Sequence, residues 1–396
     1  MKLNRRSLLK QLGASAAASA LLTPARATSE TAGTAGLDGH ASTSANNVAK
    51  FDKPIHLDRN ENAYGASEKA ITAIQQSASR VSHYQDGNVL ENTLASHHSD
   101  RSGKGDWLRP EQIVVGCGSS DILRMAAYAF LGTGKTLIQA TPTCNLLLSY
   151  AKQNGTKVVE IPLRKDYAHD LDAMLQHTQG QDSGLVYICN PNTPTGTLTA
   201  RNYLEALLPK FPPGFHLLID EAYHEYAGGS GAYASFVDRP SENSRVIVSR
   251  TFSAAHGLAG ARVGYAVMSA ETAVVMTKAS LPYALSQAGI SAASASLSDP
   301  QHVQRCAKRN FDDRQEFMNQ VNARMLRALD SHANFVCLNV MRPAAEITEH
   351  YAKNNFVLAP LIPSMPNYLR ISLGTPEEMH EFWRVWDLLG SHPMSM

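Results

Sequence analysis

The sequence is poor in cysteine and almost without net charge. It has five cysteines in 396 residues, an odd number without Cys-x-x-Cys spacing, so we expect buried thiols and no disulfide framework, and we assign no metal site. With 36 Lys and Arg residues against 35 Asp and Glu residues, the formal net charge of +1 gives no electrostatic reason to expect a nucleic-acid partner. The apolar content is ordinary for a globular protein, so a small molecule is the expected partner.

The N-terminus also lacks an apolar run long enough to span a membrane, although it contains the parts of an export signal. Residues 4–10 read Asn-Arg-Arg-Ser-Leu-Leu-Lys, a twin-arginine pattern, and a weakly apolar run and an Ala-Arg-Ala cleavage site at 25–27 follow. We predict a signal peptide over 1–27, with an amphipathic helix as the alternative, periplasmic localisation and no stable membrane insertion after cleavage. Residues 28–50, rich in Thr, Ser, Gly and Ala, are predicted to form a flexible linker.

A glycine-rich turn follows the first strand of the predicted large domain. The run Ile-Val-Val at 113–115 predicts a strand, and residues 116–121 then lead into an apolar helix. A turn of this kind points free backbone N–H groups at an anion, and hydroxyls add further donors. We therefore expect a phosphate-binding cup that includes Gly118, Ser119 and Ser120.

Two further apolar strands end in polar residues. The strand at 185–190 leads into Asn-Pro-Asn-Thr-Pro-Thr-Gly at 190–196, and the strand at 216–219 runs into Asp220. Open α/β sheets bind ligands at the carboxyl ends of their strands, so Asp220 is a candidate binding residue. The alternation of such strands with helical stretches predicts an α/β fold.

The segment at 249–265, SRTFSAAHGLAGARVGY, carries a family resemblance. It resembles the active-site segment of fold-type I pyridoxal-phosphate (PLP) aminotransferases of class I/II, particularly the histidinol-phosphate aminotransferase branch, whose pattern is R-T-x-S-K-x-x-G-L-A-G-x-R-x-G-Y. Ala254 stands at the lysine position of that pattern. In the family this lysine holds PLP as a Schiff base and transfers the substrate proton, so the alanine removes the covalent anchor and the acid/base group together.

The resemblance implies how the cofactor phosphate is held. Thr251, Ser253 and Arg262 occupy positions that the family places at the phosphate, and a guanidinium suits this anion because its donors form a planar fork. The segment at 56–67 resembles the family motif N-E-N-P-Y-G, whose tyrosine reaches the phosphate bound by the partner subunit. Tyr64 therefore implies a homodimer with shared active sites.

The resemblance also implies the contacts of the pyridine ring. Asp220 would pair with the ring nitrogen, and Tyr223 and Asn192 would donate to the phenolic oxygen, although Thr193 and not an asparagine directly precedes Pro-Thr-Gly. Cys144 follows a predicted strand where the family usually has an aromatic residue that stacks on the ring. A thiol cannot stack in this way, so cofactor retention is expected to be weaker.

The last motif concerns the substrate. The stretch at 368–378 resembles the family pattern L-R-I-S-x-G-T-x-E-E, in which the arginine grips an acidic group of the substrate, so Arg370 is the candidate anchor. Histidinol-phosphate enzymes carry a second arginine upstream, where this chain reads Val-Leu-Ala-Pro at 357–360. This absence disfavours histidinol phosphate and favours an amino acid with a free carboxylate, exchanged for a 2-oxo acid.

The resemblance covers residues 51–389 and implies the architecture. We expect a large α/β domain with a mainly parallel seven-stranded sheet and a smaller α/β domain. The predicted boundaries are an N-terminal segment at 51–95 that contributes to the small domain and to dimer contacts, a large PLP-binding domain at 96–290, and a small C-terminal domain at 291–396.

Three functions remain open because of Ala254. In the first, the chain is an aminotransferase in which Ala254 is an engineered change or a sequencing lesion. The chain as given would then be nearly inactive, since a positioned proton-transfer group contributes about 10²- to 10⁴-fold. Alternatively, it is a natural lysine-less enzyme that uses PLP or pyridoxamine phosphate with His256 or a water as base. The third possibility is a catalytically silent periplasmic binding protein of the same fold.

Overall fold

A computed structural model gives the fold of residues 53–84, 88–102, 107–241 and 243–389. The predicted signal peptide at 1–27 and the predicted linker at 28–50 lie outside the described residues. No helix in the described ranges is long and apolar enough to cross a membrane.

The secondary structure of these ranges alternates between strands and helices. The strands are β1 (Ile55–Leu57), β2 (Ile113–Gly116), β3 (Thr136–Thr141), β4 (Lys157–Pro162), β5 (Gly184–Cys189), β6 (Phe215–Asp220), β7 (Val246–Thr251), β8 (Gly264–Val267), β9 (Arg327–Ala328), β10 (Phe335–Asn339), β11 (Phe356–Leu358) and β12 (Tyr368–Ser372). The α-helices are α1 (Glu68–Ser77), α2 (Val89–Ser102), α3 (Ser119–Phe130), α4 (Leu146–Gln153), α5 (Leu171–Gln176), α6 (Arg201–Leu207), α7 (His224–Ala227), α8 (Ala270–Thr277), α9 (Gln287–Leu297), α10 (Pro300–Ala323), α11 (Ala344–Lys353) and α12 (Pro376–Asp387).

The large sheet has seven strands in the order β2-β8-β7-β6-β5-β3-β4. Strand β8 is antiparallel to both of its neighbours, and the remaining pairs are parallel. Parallel strands covered on both faces are apolar throughout, and every residue of β5 is buried. The predicted α/β fold with a mainly parallel seven-stranded sheet is confirmed.

Helices pack on both faces of this sheet. Because successive side chains of a strand point to opposite faces, β5 divides between two cores. Tyr187 and Cys189 pack with α3 and α4, whereas Val186 and Ile188 pack with α5 and α6. Asp220 is the ladder partner of Cys189, so its side chain lies on the α3 and α4 face.

A second group of strands lies towards both ends of the described chain. Strands β12, β10 and β9 form an antiparallel sheet, and β1 pairs in parallel with β11. Side chains of α10, α11 and α12 share one core with these strands. Helix α12 begins with a capping box, in which Thr375 and Glu378 each accept a hydrogen bond from the backbone of the other. The pairing of β1 with β11 ties the N-terminal segment to the C-terminal part of the chain.

Candidate active site

The predicted phosphate cup lies at the N-terminus of α3. Gly118 is the N-cap residue, with a φ of +77°, and Ser119 and Ser120 are the first two residues of the helix. The N–H groups of a first helical turn have no acceptor within the helix, and the helix dipole favours an anion beside them. This end of α3 therefore offers backbone donors and two hydroxyls to one ligand.

Arg262 closes the cup from the other side. Its Nη2 donates to Ser120 Oγ at 3.1 Å, and its Nη1 donates to Ser253 Oγ at 3.4 Å. Ser253 Oγ also accepts a hydrogen bond from the Thr251 hydroxyl at 3.0 Å. The fold thus brings together all the residues of this chain that the sequence predicts at the phosphate apart from Tyr64: Gly118, Ser119, Ser120, Thr251, Ser253 and Arg262.

Two glycines allow this close approach. A Cβ atom on Gly118 would collide with the guanidinium of Arg262, and a Cβ atom on Gly264 would collide with the backbone at Ser119. The left-handed φ of Gly118 adds a second requirement, because residues with a Cβ rarely adopt it. Backbone sterics therefore set the shape of the cup.

Asp220 ends β6, and its carboxylate is nearly inaccessible to solvent. Its Oδ2 accepts a hydrogen bond from the Tyr187 hydroxyl at 3.0 Å, whereas Oδ1 has no hydrogen-bond partner among the described residues. Burial raises the pKa of Asp220 to about 6, and the Tyr187 hydroxyl, followed by the nearby Ala222 backbone, limits the rise. An unpaired buried carboxylate oxygen is costly, so Oδ1 marks a position where a ligand N–H would be stabilised.

Tyr223 lies in the turn that follows Asp220. Its hydroxyl oxygen accepts a hydrogen bond from Asn60 Nδ2 at 2.8 Å, and its ring meets Phe335 edge-to-face with centroids 5.2 Å apart. Burial raises the pKa of Tyr223 to about 12. The phenol therefore stays protonated at neutral pH and keeps an O–H to donate.

Asn60 is a site residue that the sequence analysis does not single out. It has a φ of +56°, which asparagine tolerates better than most residues. Its backbone N–H donates to Ser372 Oγ at 2.8 Å, and its carbonyl accepts from Asn334 Nδ2 at 2.8 Å. These contacts fix the asparagine so that its amide reaches Tyr223. The Asn-Glu-Asn run was the available sequence signal, but its partners are 274 and 312 residues away.

The Asn192 amide is hydrogen-bonded to the loop that follows β3 and to Thr195 of its own loop. Its Oδ1 accepts from the Thr143 hydroxyl at 2.7 Å, and its Nδ2 donates to the Pro142 carbonyl at 3.1 Å and to Thr195 Oγ1 at 2.9 Å. The neighbouring Thr193 lies close enough to Tyr223 for its side chain to oppose the rise in the pKa of that phenol. The geometry favours Thr193 over Asn192 as the group beside the Tyr223 phenol.

Cys144 lies partly buried at the edge of the core formed with α3 and α4. Burial, followed by the negative charge of Asp220, raises the pKa of its thiol to about 11. The thiol is consequently protonated and unreactive at neutral pH. The charges of Asp220 and Arg370 both act on this thiol, so Cys144 lies in the neighbourhood of these two residues.

Ala254 lies in the loop between β7 and β8 and is 3% exposed. It packs in a small apolar cluster with Ala255 and Tyr226. Three residues after Ala254, Gly257 has a φ of +68°, and a Cβ there would collide with the carbonyl of Gly65. The N-terminal segment therefore packs tightly against the loop that holds Ala254.

His256 is held by neighbouring side chains at both ring nitrogens. Its Nδ1 lies 2.7 Å from Ser296 Oγ, and its Nε2 lies 3.6 Å from Glu225 Oε1. Burial alone would raise the pKa of Glu225, but His256, together with His224 and Arg250, holds it at about 2. This arrangement favours a packing role for His256 over a role as base.

Tyr64 is held by α10 of its own chain. Its hydroxyl donates to Asp313 Oδ2 at 2.5 Å, and Arg309 lies over its ring, 4.9 Å from the centroid. Burial, followed by the hydrogen bond to Asp313, raises the pKa of this phenol well above its ordinary value. The predicted contact with the phosphate of a partner subunit stays a prediction.

Arg370 lies on β12, opposite Cys337 of β10. Its Nη2 donates to the Asp58 carbonyl, and its guanidinium lies over the Phe335 ring, 5.7 Å from the centroid. Its buried Nε has no hydrogen-bond partner among the described residues. Phe335 also contacts Tyr223, so Arg370 lies at the same site, on the side formed by β10 and β12, and it has donors left for an anion.

Known proteins resemble this chain over most of its length. The family model "Aminotransferase class I and II" matches residues 52–385. A histidinol-phosphate aminotransferase of Bacillus subtilis subsp. natto is 33% identical over 333 residues, covering 84% of this chain and 90% of that protein. One from Methylobacillus flagellatus is 34% identical over 334 residues, with 84% and 87% covered.

A solved structure has the same fold. The histidinol-phosphate aminotransferase from Sinorhizobium meliloti, in complex with pyridoxal-5'-phosphate, superposes with a TM-score of 0.76 at 24% identity, covering 85% of this chain and 92% of that chain. The range that the family model matches includes the phosphate cup, Asp220 and Arg370. This chain belongs to the class I and II aminotransferase family.

Proposed function

We propose that this chain is a PLP-dependent aminotransferase that binds its cofactor without a covalent anchor, exchanges an amino acid bearing a free carboxylate for a 2-oxo acid, and is exported. The proposal depends on two features that occur together: a formed phosphate cup, and a carboxylate oxygen, Asp220 Oδ1, that is buried and has no hydrogen-bond partner among the described residues. PLP has a phosphate and a ring nitrogen, so its two polar ends match the two features.

The residues divide the work of holding the cofactor. The N-terminus of α3 and Arg262 would bind the phosphate, and Asp220 would face the ring nitrogen. Tyr223, kept protonated by burial and oriented by Asn60, would donate to the phenolic oxygen. When bound, PLP supplies an electron sink for the bonds at the substrate α-carbon, and a carboxylate beside the ring nitrogen strengthens that sink.

Arg370 would orient the substrate. Its Nε and remaining guanidinium donors suit the two oxygens of a carboxylate, and Phe335 supports the plane of the guanidinium. The names of the relatives make histidinol phosphate the competing substrate. Against it stands Ala359, a buried alanine in the stretch where the resemblance leads us to expect a second arginine.

Ala254 limits the rate of the reaction. The methyl group of Ala254 cannot carry a proton, and both ring nitrogens of the nearby His256 are engaged by Ser296 and Glu225. We therefore expect amino transfer by this chain to be slower than that of a lysine-bearing variant by about 10²- to 10⁴-fold.

The test compares the chain with Ala254→Lys and with Ala254→Met, a control of similar length without an amine. Each variant is incubated with PLP, a 2-oxo acid acceptor and one amino donor at a time, either an amino acid from a panel or histidinol phosphate, and the amino acid formed from the acceptor is measured. We expect Ala254→Lys alone to retain PLP covalently after borohydride reduction and to gain activity. If it folds and binds PLP yet transfers no amino group from any panel member, the proposed enzyme is ruled out.

A silent binding protein is the second candidate, favoured by the apolar packing of Ala254 against Ala255 and Tyr226. It predicts tight binding of PLP or an amino acid with no activity gained by Ala254→Lys. Export rests on the twin-arginine pattern at 4–10, and fractionation of cells expressing the full chain would place the product in the periplasm or the cytoplasm. The homodimer that the resemblance at Tyr64 implies is tested by measuring the sedimentation of the same protein.

A further inference from the structure

Tyr187 lies beneath Asp220 in the middle of the large sheet. Its side chain is fully buried, and its hydroxyl donates to Asp220 Oδ2 at 3.0 Å. It stands two residues before Cys189, the ladder partner of Asp220, so the two side chains share one face of the sheet. We propose that Tyr187 is a positioning residue, whose hydroxyl turns the Asp220 carboxylate so that Oδ1 faces the cofactor ring nitrogen; this inference rests on the proposed function.

Other neighbours of Asp220 do not take this role. Ser249 is its ladder partner on β7, yet the buried Ser249 Oγ has no hydrogen-bond partner among the described residues. The Cys189 thiol donates to the Pro191 carbonyl at 3.4 Å. Tyr187 therefore supplies the side-chain hydrogen bond that fixes this carboxylate, and it does so from a rigid, close-packed core.

The hydroxyl also acts on the charge of Asp220. Burial raises the pKa of Asp220 to about 6, and the hydrogen bond from Tyr187 opposes that rise because it stabilises the ionised form. Burial also raises the pKa of Tyr187 well above its ordinary value, so it remains a donor across the neutral range. The titratable groups that act on or respond to Asp220 are Tyr187, Glu221, Cys144 and Cys189.

Tyr187→Phe removes the hydroxyl and keeps the ring. We expect the Asp220 titration to move up by about one pH unit, which lowers the ionised fraction about fivefold at pH 6 and hardly at all at pH 8.5. PLP affinity should fall in the same way, about fivefold at pH 6 and less than about twofold at pH 8.5. A defect of packing would instead weaken binding equally at every pH.

The experiment measures the dissociation constant of PLP by equilibrium dialysis from pH 5.5 to 8.5 with the full chain. Tyr351→Phe is the matched control, because Tyr351 is also fully buried and donates one hydrogen bond, to the Phe382 carbonyl at 2.8 Å, in the other core. The same variants are unfolded in urea without PLP at each pH. Asp220→Asn, alone and combined with Tyr187→Phe, removes the titrating group.

The expected result is a pH-dependent loss in Tyr187→Phe that is absent in Tyr351→Phe and disappears in the Asp220→Asn background. A loss independent of pH, or one that persists without the carboxylate, overturns the inference. If the unaltered chain binds no PLP at any pH, the proposed function fails and the cofactor-facing role of Tyr187 falls with it. The unfolding data still show separately whether Tyr187 controls the Asp220 titration, and an unshifted titration overturns the inference by itself.

Discussion

Asp220→Asn is expected to stabilise the ligand-free protein at alkaline pH. Burial raises the pKa of Asp220 from 3.8 to about 6, so the folded chain holds a proton that the unfolded chain has released. Stability is therefore highest below the unfolded pKa and falls as the pH rises through 6. At about 1.4 kcal/mol per pKa unit, the raised pKa lowers the free energy of unfolding by about 3 kcal/mol at pH 8 and by about half as much at pH 5.

Urea unfolding of the two proteins at pH 5 and pH 8 measures this cost. Asparagine keeps an acceptor for Tyr187 and carries no charge, so the free energy of unfolding should exceed that of the unaltered chain by about 3 kcal/mol at pH 8, and by about half of that at pH 5. Asp172→Asn removes an exposed carboxylate in the first turn of α5 and serves as the control. A variant less stable than the unaltered chain at pH 8, or a difference that does not change with pH, would refute the reasoning.

Three further substitutions test the rest of the site. Gly118→Ala should weaken PLP binding by at least about tenfold in dialysis, because the methyl group collides with Arg262 and the backbone is left-handed. Asn60→Ala removes the side-chain hydrogen bonds to Tyr223 and to Ser372 of β12. It should lower the free energy of unfolding, measured in urea, by about 1–3 kcal/mol. Arg370→Gln, in the lysine-restored chain, should lower kcat/KM for the amino acid about 100-fold and leave PLP affinity unchanged.

Gly118→Ala and Arg370→Gln each have a matched control. Gly132 also has a positive φ, of +140°, but a Cβ there would meet nothing within 4 Å, so Gly132→Ala carries a backbone cost without a collision at the cup. Arg59→Gln removes an exposed guanidinium of the N-terminal segment. Equal PLP affinity for Gly118→Ala and Gly132→Ala would contradict the assigned contacts. Equal kcat/KM losses for Arg370→Gln and Arg59→Gln would contradict them as well.

Motifs of adjacent residues were readable before the fold was known. The glycine turn at 116–121 and the segment at 249–265 predict phosphate donors because each combines a local backbone shape with suitable side chains. The structure brings the two together through Arg262 and Ser120. The role of Asn192 stays a prediction, because the hydrogen bonds of its amide to Pro142 and Thr195 depend on how two separate loops meet.

The sequence by itself determined the α/β class, because apolar strands, polar strand ends and glycine turns are local patterns that a fold of this kind requires. Its resemblance to a known family implied the seven-stranded sheet. Tertiary structure alone decided which groups are left to bind. Asn60 reaches Tyr223, and Tyr187 reaches one oxygen of Asp220 and leaves the other free, through contacts between residues distant in the chain. Such pairings depend on strand register and burial, which change hydrogen-bond partners and pKa without leaving a local pattern in the sequence.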